Sequence, residues 1–183
     1  EECPAKFKAE YIEGRREAPT PPMQVGNVVH EILDLYVKHL KDNQKQSDFD
    51  GLERIQESVL ASPLAAGLPF DALSEVGPII ENAAKLLVFP DHSKIQGSEL
   101  MLAVDRNWKS VPFESAKAFV RGKIDRLDLD EEGCVTITDY KTGRLIEGIE
   151  GSVQLGLYAS LVMALMPQAK SVDVVLEYLR QGI

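Results

Sequence analysis

A run of β-branched residues that ends in a turn places the strongest constraint on how this chain folds. The run Val135–Thr138 favours an extended backbone, and Thr142-Gly143 supplies a break after it. Because side chains two apart on a strand share a face, Asp139 and Lys141 lie together where the strand ends. A carboxylate can hold a divalent cation through its hard oxygen atoms, and an ammonium group can act on a nearby water or phosphate oxygen. The alternative is an ion pair at a strand end, and the D-x-K pattern alone does not decide between the two.

Length and composition indicate one soluble globular domain. The chain has 183 residues, of which 44% are hydrophobic and 27% charged, and it is long enough to bury a core. No apolar run approaches the roughly 18 residues of a membrane span, and the start does not resemble a secretory signal. Two cysteines, Cys3 and Cys134, are too few for a disulfide framework, so we expect a cytoplasmic protein. The chain begins at Glu1 rather than at methionine, as a piece of a longer protein would.

The net charge of −9 argues against a protein that coats nucleic acid by bulk charge. This net charge does not exclude a local basic groove, because acidic clusters that bind metal also make the net charge more negative.

Hydrophobic spacing predicts helices in the first half of the chain. A short amphipathic helix is expected within residues 1–12, and Pro19, Pro21 and Pro22 interrupt the segment after it. The strongest helical pattern covers residues 25–41, and two further helices are predicted near 51–61 and 72–88. The stripe that defines the strongest pattern is Val25, Val29, Ile32, Tyr36 and Leu40.

From residue 98 the hydrophobic period changes to that of strands. Strands are predicted at 99–104, 118–129 and 134–140, and the turn at 131–133 makes the last two antiparallel. A helix is expected at about 152–166, with Ser152 as its N-cap and with Val153, Leu157, Leu161 and Leu165 on its apolar face. The continuously apolar strand at 172–179 is expected to be central and buried. Without repeats or a convincing linker, residues 1–183 are predicted to form one domain, helical over about 1–90 and sheet-containing over about 98–183.

Four short signals occur in one order along these elements. They are Gly26-x-x-x-His30 on a helix, Gly122-x-x-Asp125 on a strand, Asp139-Tyr140-Lys141 on the next strand, and Gln154-x-x-x-Tyr158 on the helix after that strand. The glycine one turn before His30 is expected to leave open space over the imidazole ring, and the alternative is a half-buried histidine that finds a hydrogen bond.

The turn at 130–133 brings residues near 125 opposite residues near 138, so Asp125 and Asp139 can approach each other. Two carboxylates that close repel each other unless a cation lies between them. A histidine with two carboxylates suits Mg²⁺ or Mn²⁺ and leaves positions open for water and substrate oxygens. Such a site is equipped for metal-assisted hydrolysis of a phosphodiester, with a lysine nearby to absorb developing charge.

The ordered set resembles the PD-(D/E)XK nuclease superfamily, in particular its RecB-type exonuclease branch. That branch carries G-x-x-x-H, G-x-x-D, D-Y-K-T-G and Q-x-x-x-Y motifs, and the opening Cys3-Pro4-x-Lys6-Phe7 is also similar to such domains. The resemblance implies a restriction-endonuclease-like α/β fold. In this fold a mixed central sheet is flanked by helices in α-β-β-β-α-β order, here with an extra helical insertion.

The resemblance also implies roles for individual residues. His30, Asp125 and Asp139 would be metal ligands, helped by the backbone carbonyl of Tyr140, and Lys141 would orient or activate the attacking water. Further candidates are Gln154 and Tyr158, which would position the strand or hold Lys141, and Glu99 as an additional acid, for which the alternative is a solvated strand-edge residue. Bordering cations that could meet phosphates, or could be plain surface charges, are Lys123, Arg126 and Arg144.

The implied function is a divalent-metal-dependent DNA nuclease, an exonuclease in repair or recombination, with a helicase or other recombination subunit as a candidate partner. One alternative is a catalytically silent DNA- or helicase-binding module of the same fold, and another is a metal-dependent phosphohydrolase on small molecules. Some relatives hold an iron–sulfur cluster through an early cysteine and three later ones. Cys3 is present here, but no later trio precedes Ile183, and Cys134 lies on a strand, so no cluster is expected in this chain.

Overall fold

A computed structural model describes residues 18–45, 47–87, 93–143 and 153–183. Three helices come first: α1 (Pro21–Asp42), α2 (Phe49–Leu60) and α3 (Phe70–Leu87). Three strands come next, β1 (Ile95–Val104), β2 (Val120–Leu129) and β3 (Cys134–Lys141), and the chain continues with α4 (Val153–Leu165) and β4 (Ser171–Tyr178). The helix predicted within residues 1–12, together with Cys3, Arg144 and Ser152, lies outside the described residues.

The four strands form one sheet in the order β1-β2-β3-β4. β1 pairs with β2, and β2 with β3, in antiparallel register, whereas β3 and β4 are parallel. Short connections permit antiparallel neighbours, whereas the parallel pair needs the crossover that contains α4. This architecture confirms the predicted mixed sheet flanked by helices, with α2 and α3 as the additional helical part.

Two apolar clusters fix the helices that surround the sheet. Eight apolar residues of α1 are buried in the first cluster, where α1 packs with α2 and α3. The second cluster lies between the sheet and α4 and contains Ile124, Leu127, Val135, Ile137 and Val162. A hydrogen bond of 2.5 Å from Ser98 Oγ to Asp34 Oδ1 also ties β1 to α1. Because close packing leaves little freedom to shift, side chains on α1 hold a fixed position relative to the sheet.

The helices predicted near 25–41, 51–61, 72–88 and 152–166 are present, but α1 begins earlier than the hydrophobic stripe indicated. Pro21 and Pro22 were expected to interrupt the chain, and they instead occupy the first helical positions. A proline is tolerated there because the first N–H groups of a helix have no partner inside the helix. None of the helices among the described residues is long and apolar enough to cross a membrane.

The prediction that the last strand is central was wrong, because β4 is the outermost strand among those described. Its exposure alternates along the chain, and Val175 is 40% exposed. The predicted apolar face of α4 was right for Leu161, which is buried, but wrong for Val153 and Leu157, which are 76% and 38% exposed. Val162, which was not on that face, is buried instead. Since α4 is apolar on nearly every side, its sequence could not indicate which face meets the sheet.

Candidate active site

His30 on α1 reaches the end of the sheet and lies half-buried between β1, β2 and β3. Its Nε2 atom is 3.1 Å from the backbone oxygen of Tyr140. Its Nδ1 atom is 3.4 Å from Asp125 Oδ1 and 3.6 Å from Glu99 Oε1. A carbonyl oxygen can only accept a hydrogen bond, so Nε2 carries the proton in this pair. The Nδ1 atom then faces two carboxylates, and a positive charge placed between these three groups would offset the repulsion of the two acids.

Glu99 and Asp125 lie side by side on β1 and β2. The register pairs Ser98 with Arg126 and Leu100 with Ile124, which places these two acids across from each other. Glu99 has a backbone φ of 51°, in the left-handed region that residues other than glycine rarely adopt. Such strain persists where the surrounding structure enforces it, and it is concentrated at functional sites.

Three ligand atoms converge at this point. One atom each from His30, Glu99 and Asp125 lies within 4.8 Å of the other two, and among the described residues these three form the group suited to a metal ion. One imidazole nitrogen and two carboxylate oxygens suit Mg²⁺ or Mn²⁺ and leave positions open for water or substrate. These three donor groups, which include Glu99, therefore fit the divalent cation that the resemblance implied.

Asp139 and Lys141 form an ion pair next to this group. Lys141 Nζ is 2.5 Å from Asp139 Oδ2, and the carboxylate is only 6% exposed. Burial raises the pKa of Asp139, and the neighbouring Lys141 opposes that shift. Oδ2 is buried without a hydrogen bond of normal geometry, so it can accept a further positive partner. Asp139 contributes no atom to the three-residue group, which differs from the ligand set implied by the sequence.

The backbone of Tyr140 connects Asp125 to His30. Its N–H donates to Asp125 Oδ2 at 2.8 Å, while its carbonyl oxygen accepts from His30. The predicted closeness of Asp125 and Asp139 results from the β2–β3 register, in which Arg126 pairs with Thr138. The Tyr140 carbonyl, implied as a metal ligand, accepts one hydrogen bond from the imidazole and retains a second lone pair.

Gln154 and Tyr158 complete the wall of the cleft on the α4 side. Gln154 Nε2 donates to the Tyr158 hydroxyl at 2.8 Å, as expected for residues four apart on one helix face. Burial raises the pKa of the Tyr158 hydroxyl. All eight predicted site residues line one cleft of about 500 Å³.

Sequence reasoning missed three residues that also line this cleft: Asn27, Glu31 and Leu64. Asn27 lies one helical turn before His30, so helical spacing could have indicated it. Leu64 lies in the connection between α2 and α3, where no local pattern indicated a link to the sheet.

The two motif glycines allow close approach between elements. A Cβ atom on Gly26 would lie 3.1 Å from Thr142 Oγ1, so the space expected over the imidazole is instead taken by the turn after β3. A Cβ atom on Gly122 would lie 2.7 Å from Leu161 Cδ1 and 3.1 Å from two ring carbons of Tyr158. Gly122 therefore lets α4 approach β2 and brings Tyr158 to the cleft.

Two of the bordering cations differ in environment. Lys123 is 56% exposed and forms an ion pair with Glu99 at the rim of the cleft. Arg126 was expected either to meet phosphates or to lie on the surface, and both interpretations were wrong. It is 9% exposed, and its Nη2 atom lies 2.7 Å from Asp128 Oδ2. The antiparallel register turns it into the protein rather than toward the cleft.

The fold and the cleft together define a nuclease-type α/β protein with a candidate cation site. The family model of the PD-(D/E)XK nuclease superfamily matches residues 1–182. The chain belongs to this superfamily, whose members are generally nucleases that use divalent metal ions. Searches of curated proteins and of solved structures gave no significant match.

Proposed function

We propose that the chain is a divalent-metal-dependent deoxyribonuclease of the RecB-type branch that hydrolyses DNA phosphodiester bonds as an exonuclease in repair or recombination. The observation that carries the proposal is the convergence of His30, Glu99 and Asp125 beside the Asp139–Lys141 pair. A structural scaffold has no need for three buried or half-buried acids around one imidazole, because their mutual repulsion costs stability. We also propose that the protein acts in the cytoplasm. Its proposed partner is a helicase or another recombination subunit in a larger assembly.

His30, Glu99 and Asp125 would hold Mg²⁺ or Mn²⁺, and Asp139 would be an additional ligand through its buried oxygen. When bound, the ion supplies Lewis-acid stabilisation of the phosphorus oxygens and lowers the pKa of a water ligand.

The protein's own groups hold this arrangement in place. The Tyr140 backbone fixes the orientation of His30 with its carbonyl and of Asp125 with its N–H. Lys141, held by Asp139, presents an ammonium group that can orient the attacking water and take up charge from the phosphate. Tyr158 and Gln154 limit where the DNA strand can lie.

The experiment combines metal binding with DNA cleavage. Titration calorimetry with Mn²⁺ should show weaker binding for Glu99→Gln and Asp125→Asn, whereas Glu53→Gln, at an exposed position of α2, should bind like the wild type. Cleavage of linear and circular DNA, single- and double-stranded, should fall by about 10² or more in Asp139→Asn and Lys141→Ala.

The outcomes separate the candidate functions. Cleavage that persists in both Asp139→Asn and Lys141→Ala would refute the assignment. DNA binding without any Mn²⁺ binding at neutral pH would instead support a catalytically silent module. Hydrolysis of nucleotides but not of DNA would support a small-molecule phosphohydrolase.

A further inference from the structure

The hairpin that joins β1 and β2 has a charge opposite to that of the whole chain. Residues 105–123 contain five basic and two acidic side chains, in a protein of net charge −9. The same segment and the strand next to it expose large apolar side chains: Phe119 is 58%, Met101 61% and Trp108 41% exposed. Scattered exposed apolar residues are common, but basic and aromatic groups alternating on one hairpin are typical of surfaces that bind single-stranded nucleic acid.

These side chains share a face that leads to the cleft. Arg121 and Lys123 are two residues apart on β2 and therefore point to the same side of the sheet. Phe119 comes one residue before β2, and its N–H donates to the Val104 carbonyl at 2.8 Å, which continues the pairing with β1 and the alternation of side chains. Lys123 pairs directly with Met101 across the strands and also lines the cleft. We call this surface the hairpin face and define it by Met101, Arg106, Phe119, Arg121 and Lys123. From Phe119 to Lys123 it extends about 13 Å at the rise of a strand.

Internal contacts hold the hairpin face in shape. The guanidinium of Arg106 lies 5.2 Å from the centre of the Phe119 ring, within cation–π range. Arg121 donates from Nε to the Phe113 carbonyl at 2.6 Å and from Nη2 to the Ser115 carbonyl at 2.8 Å. These two bonds order the loop. Both acceptors are neutral carbonyl groups, so neither bond neutralises the positive charge of Arg121.

Trp108, in the turn that follows β1, has a backbone conformation that is unfavourable for residues other than glycine. Its φ is 57°, in the left-handed region, and its side chain is exposed. The Asp105 carboxylate accepts hydrogen bonds from the N–H groups of Asn107 at 2.8 Å and Lys109 at 3.0 Å, which fixes the turn. Because Trp108 stays 41% exposed on this strained backbone, a partner that covers the rest of the ring would offset the strain.

We propose that the hairpin face and Trp108 bind single-stranded DNA and guide it into the cleft. Bases would stack on Phe119 and Trp108, and the basic side chains would neutralise phosphates along the path to Lys123. The sign of the charge, the exposed rings and the continuity with the cleft all fit this one occupant. The inference rests on the proposed DNA nuclease function, because it assigns the form of DNA that the same site receives.

The test measures binding without catalysis. Fluorescence anisotropy of a labelled oligo(dT) strand in EDTA reports affinity when no metal is present, so it is independent of cleavage. Phe119→Ala and Trp108→Ala should each raise Kd about fivefold or more, whereas Phe119→Tyr, which keeps a stacking ring, should bind like the wild type. The matched control is Phe49→Ala, because Phe49 is 57% exposed but lies on α2.

Salt dependence tests the electrostatic part. Arg106→Gln, which removes one positive charge from the hairpin face, should flatten the slope of log Kd against log salt by about 0.7, and an unchanged slope would count against phosphate binding there. Arg54→Gln, at an exposed position of α2, should leave the slope unchanged. Circular dichroism melting curves of all variants verify that the fold is retained.

Unchanged single-strand affinity in both Phe119→Ala and Trp108→Ala would overturn the inference, as would equal losses in Phe49→Ala. If the wild type cleaves DNA while these variants bind normally, the hairpin assignment fails and the nuclease proposal stands. If the wild type binds oligo(dT) through these residues but Mn²⁺ supports no cleavage, the nuclease proposal fails and the hairpin assignment stands.

Discussion

The close contact between Gly122 on β2 and helix α4 gives the sharpest prediction about stability. We consider Gly122→Ala, which adds one methyl group between the strand and the helix. The added Cβ would lie 2.7 Å from Leu161 Cδ1 and 3.1 Å from two ring carbons of Tyr158. Carbon atoms prefer separations of about 3.5–4.0 Å, so neighbouring atoms must move by several tenths of an ångström or more.

The surroundings decide the cost of that movement. Leu161 is fully buried and cannot rotate its methyl group into solvent, so the helix or the strand must shift. Overpacking of this kind costs about 1–3 kcal/mol. Gly122 does not have a left-handed backbone, so alanine itself is tolerated there and recovers about 0.5–1 kcal/mol by restricting the unfolded chain. From the middle of each range, the net expectation is a loss of about 1 kcal/mol, which corresponds to a Tm lower by roughly 2–5 °C for a chain of this size.

The assay is a thermal melt of Gly122→Ala next to Gly156→Ala. Gly156 lies inside α4, and a Cβ there has no neighbour within 4 Å apart from its own helix and adjoining residues, so this matched change should raise Tm. A Gly122→Ala variant as stable as the wild type would show that α4 can move away freely. The account of how this glycine positions Tyr158 would then be wrong.

Two other predictions concern charged groups. Arg126→Met should lower the free energy of unfolding by about 3–5 kcal/mol in urea titrations, because it leaves the partly buried carboxylate of Asp128 without its 2.7 Å partner. Adding Asp128→Asn should recover part of that loss, and an additive double variant would contradict a direct pairing. The N-cap residue Asp48 has a pKa held well below its usual range by Lys45, then by His39 and a backbone N–H. Since the folded-state pKa is depressed, the charge of Asp48 stabilises the fold fully above the unfolded pKa of 3.8. The effect begins to decrease below that value and is lost only as pH falls through the lower folded-state pKa. The Tm difference between wild type and Asp48→Asn should therefore shrink between pH 7 and pH 3, and a constant difference would refute the pairing.

Local patterns were sufficient where neighbours in sequence set the structure. The spacing of apolar residues predicted α1, and the short turn before Cys134 predicted the β2–β3 hairpin that places Asp125 near Asp139. Patterns failed where packing between distant elements decides. The apolar run of β4 is compatible with either a central or an edge strand, and the uniformly apolar α4 does not indicate which side it buries.

The same distinction explains the site. The motif residues could be grouped from their order along the chain. The left-handed backbone of Glu99, by contrast, is not indicated by any residue type at that position of β1. The burial of Arg126 likewise depends on which face of β2 meets the helical core. Both features arise from pairing between strands, so they can be identified only when the register is known.

Tyr140 shows how the core and the cleft are coupled. Its side chain is 4% exposed and belongs to the helical core cluster, while its backbone N–H and carbonyl hold Asp125 and His30. Packing that fixes this one ring therefore fixes two of the three groups that would hold the cation. Because acids brought this close repel each other, the geometry persists only if the core enforces it or a cation compensates for the charge. The rigidity of the core around Tyr140 is thus the physical condition for a preorganised site, and the proposed hydrolysis at this cleft would depend on it.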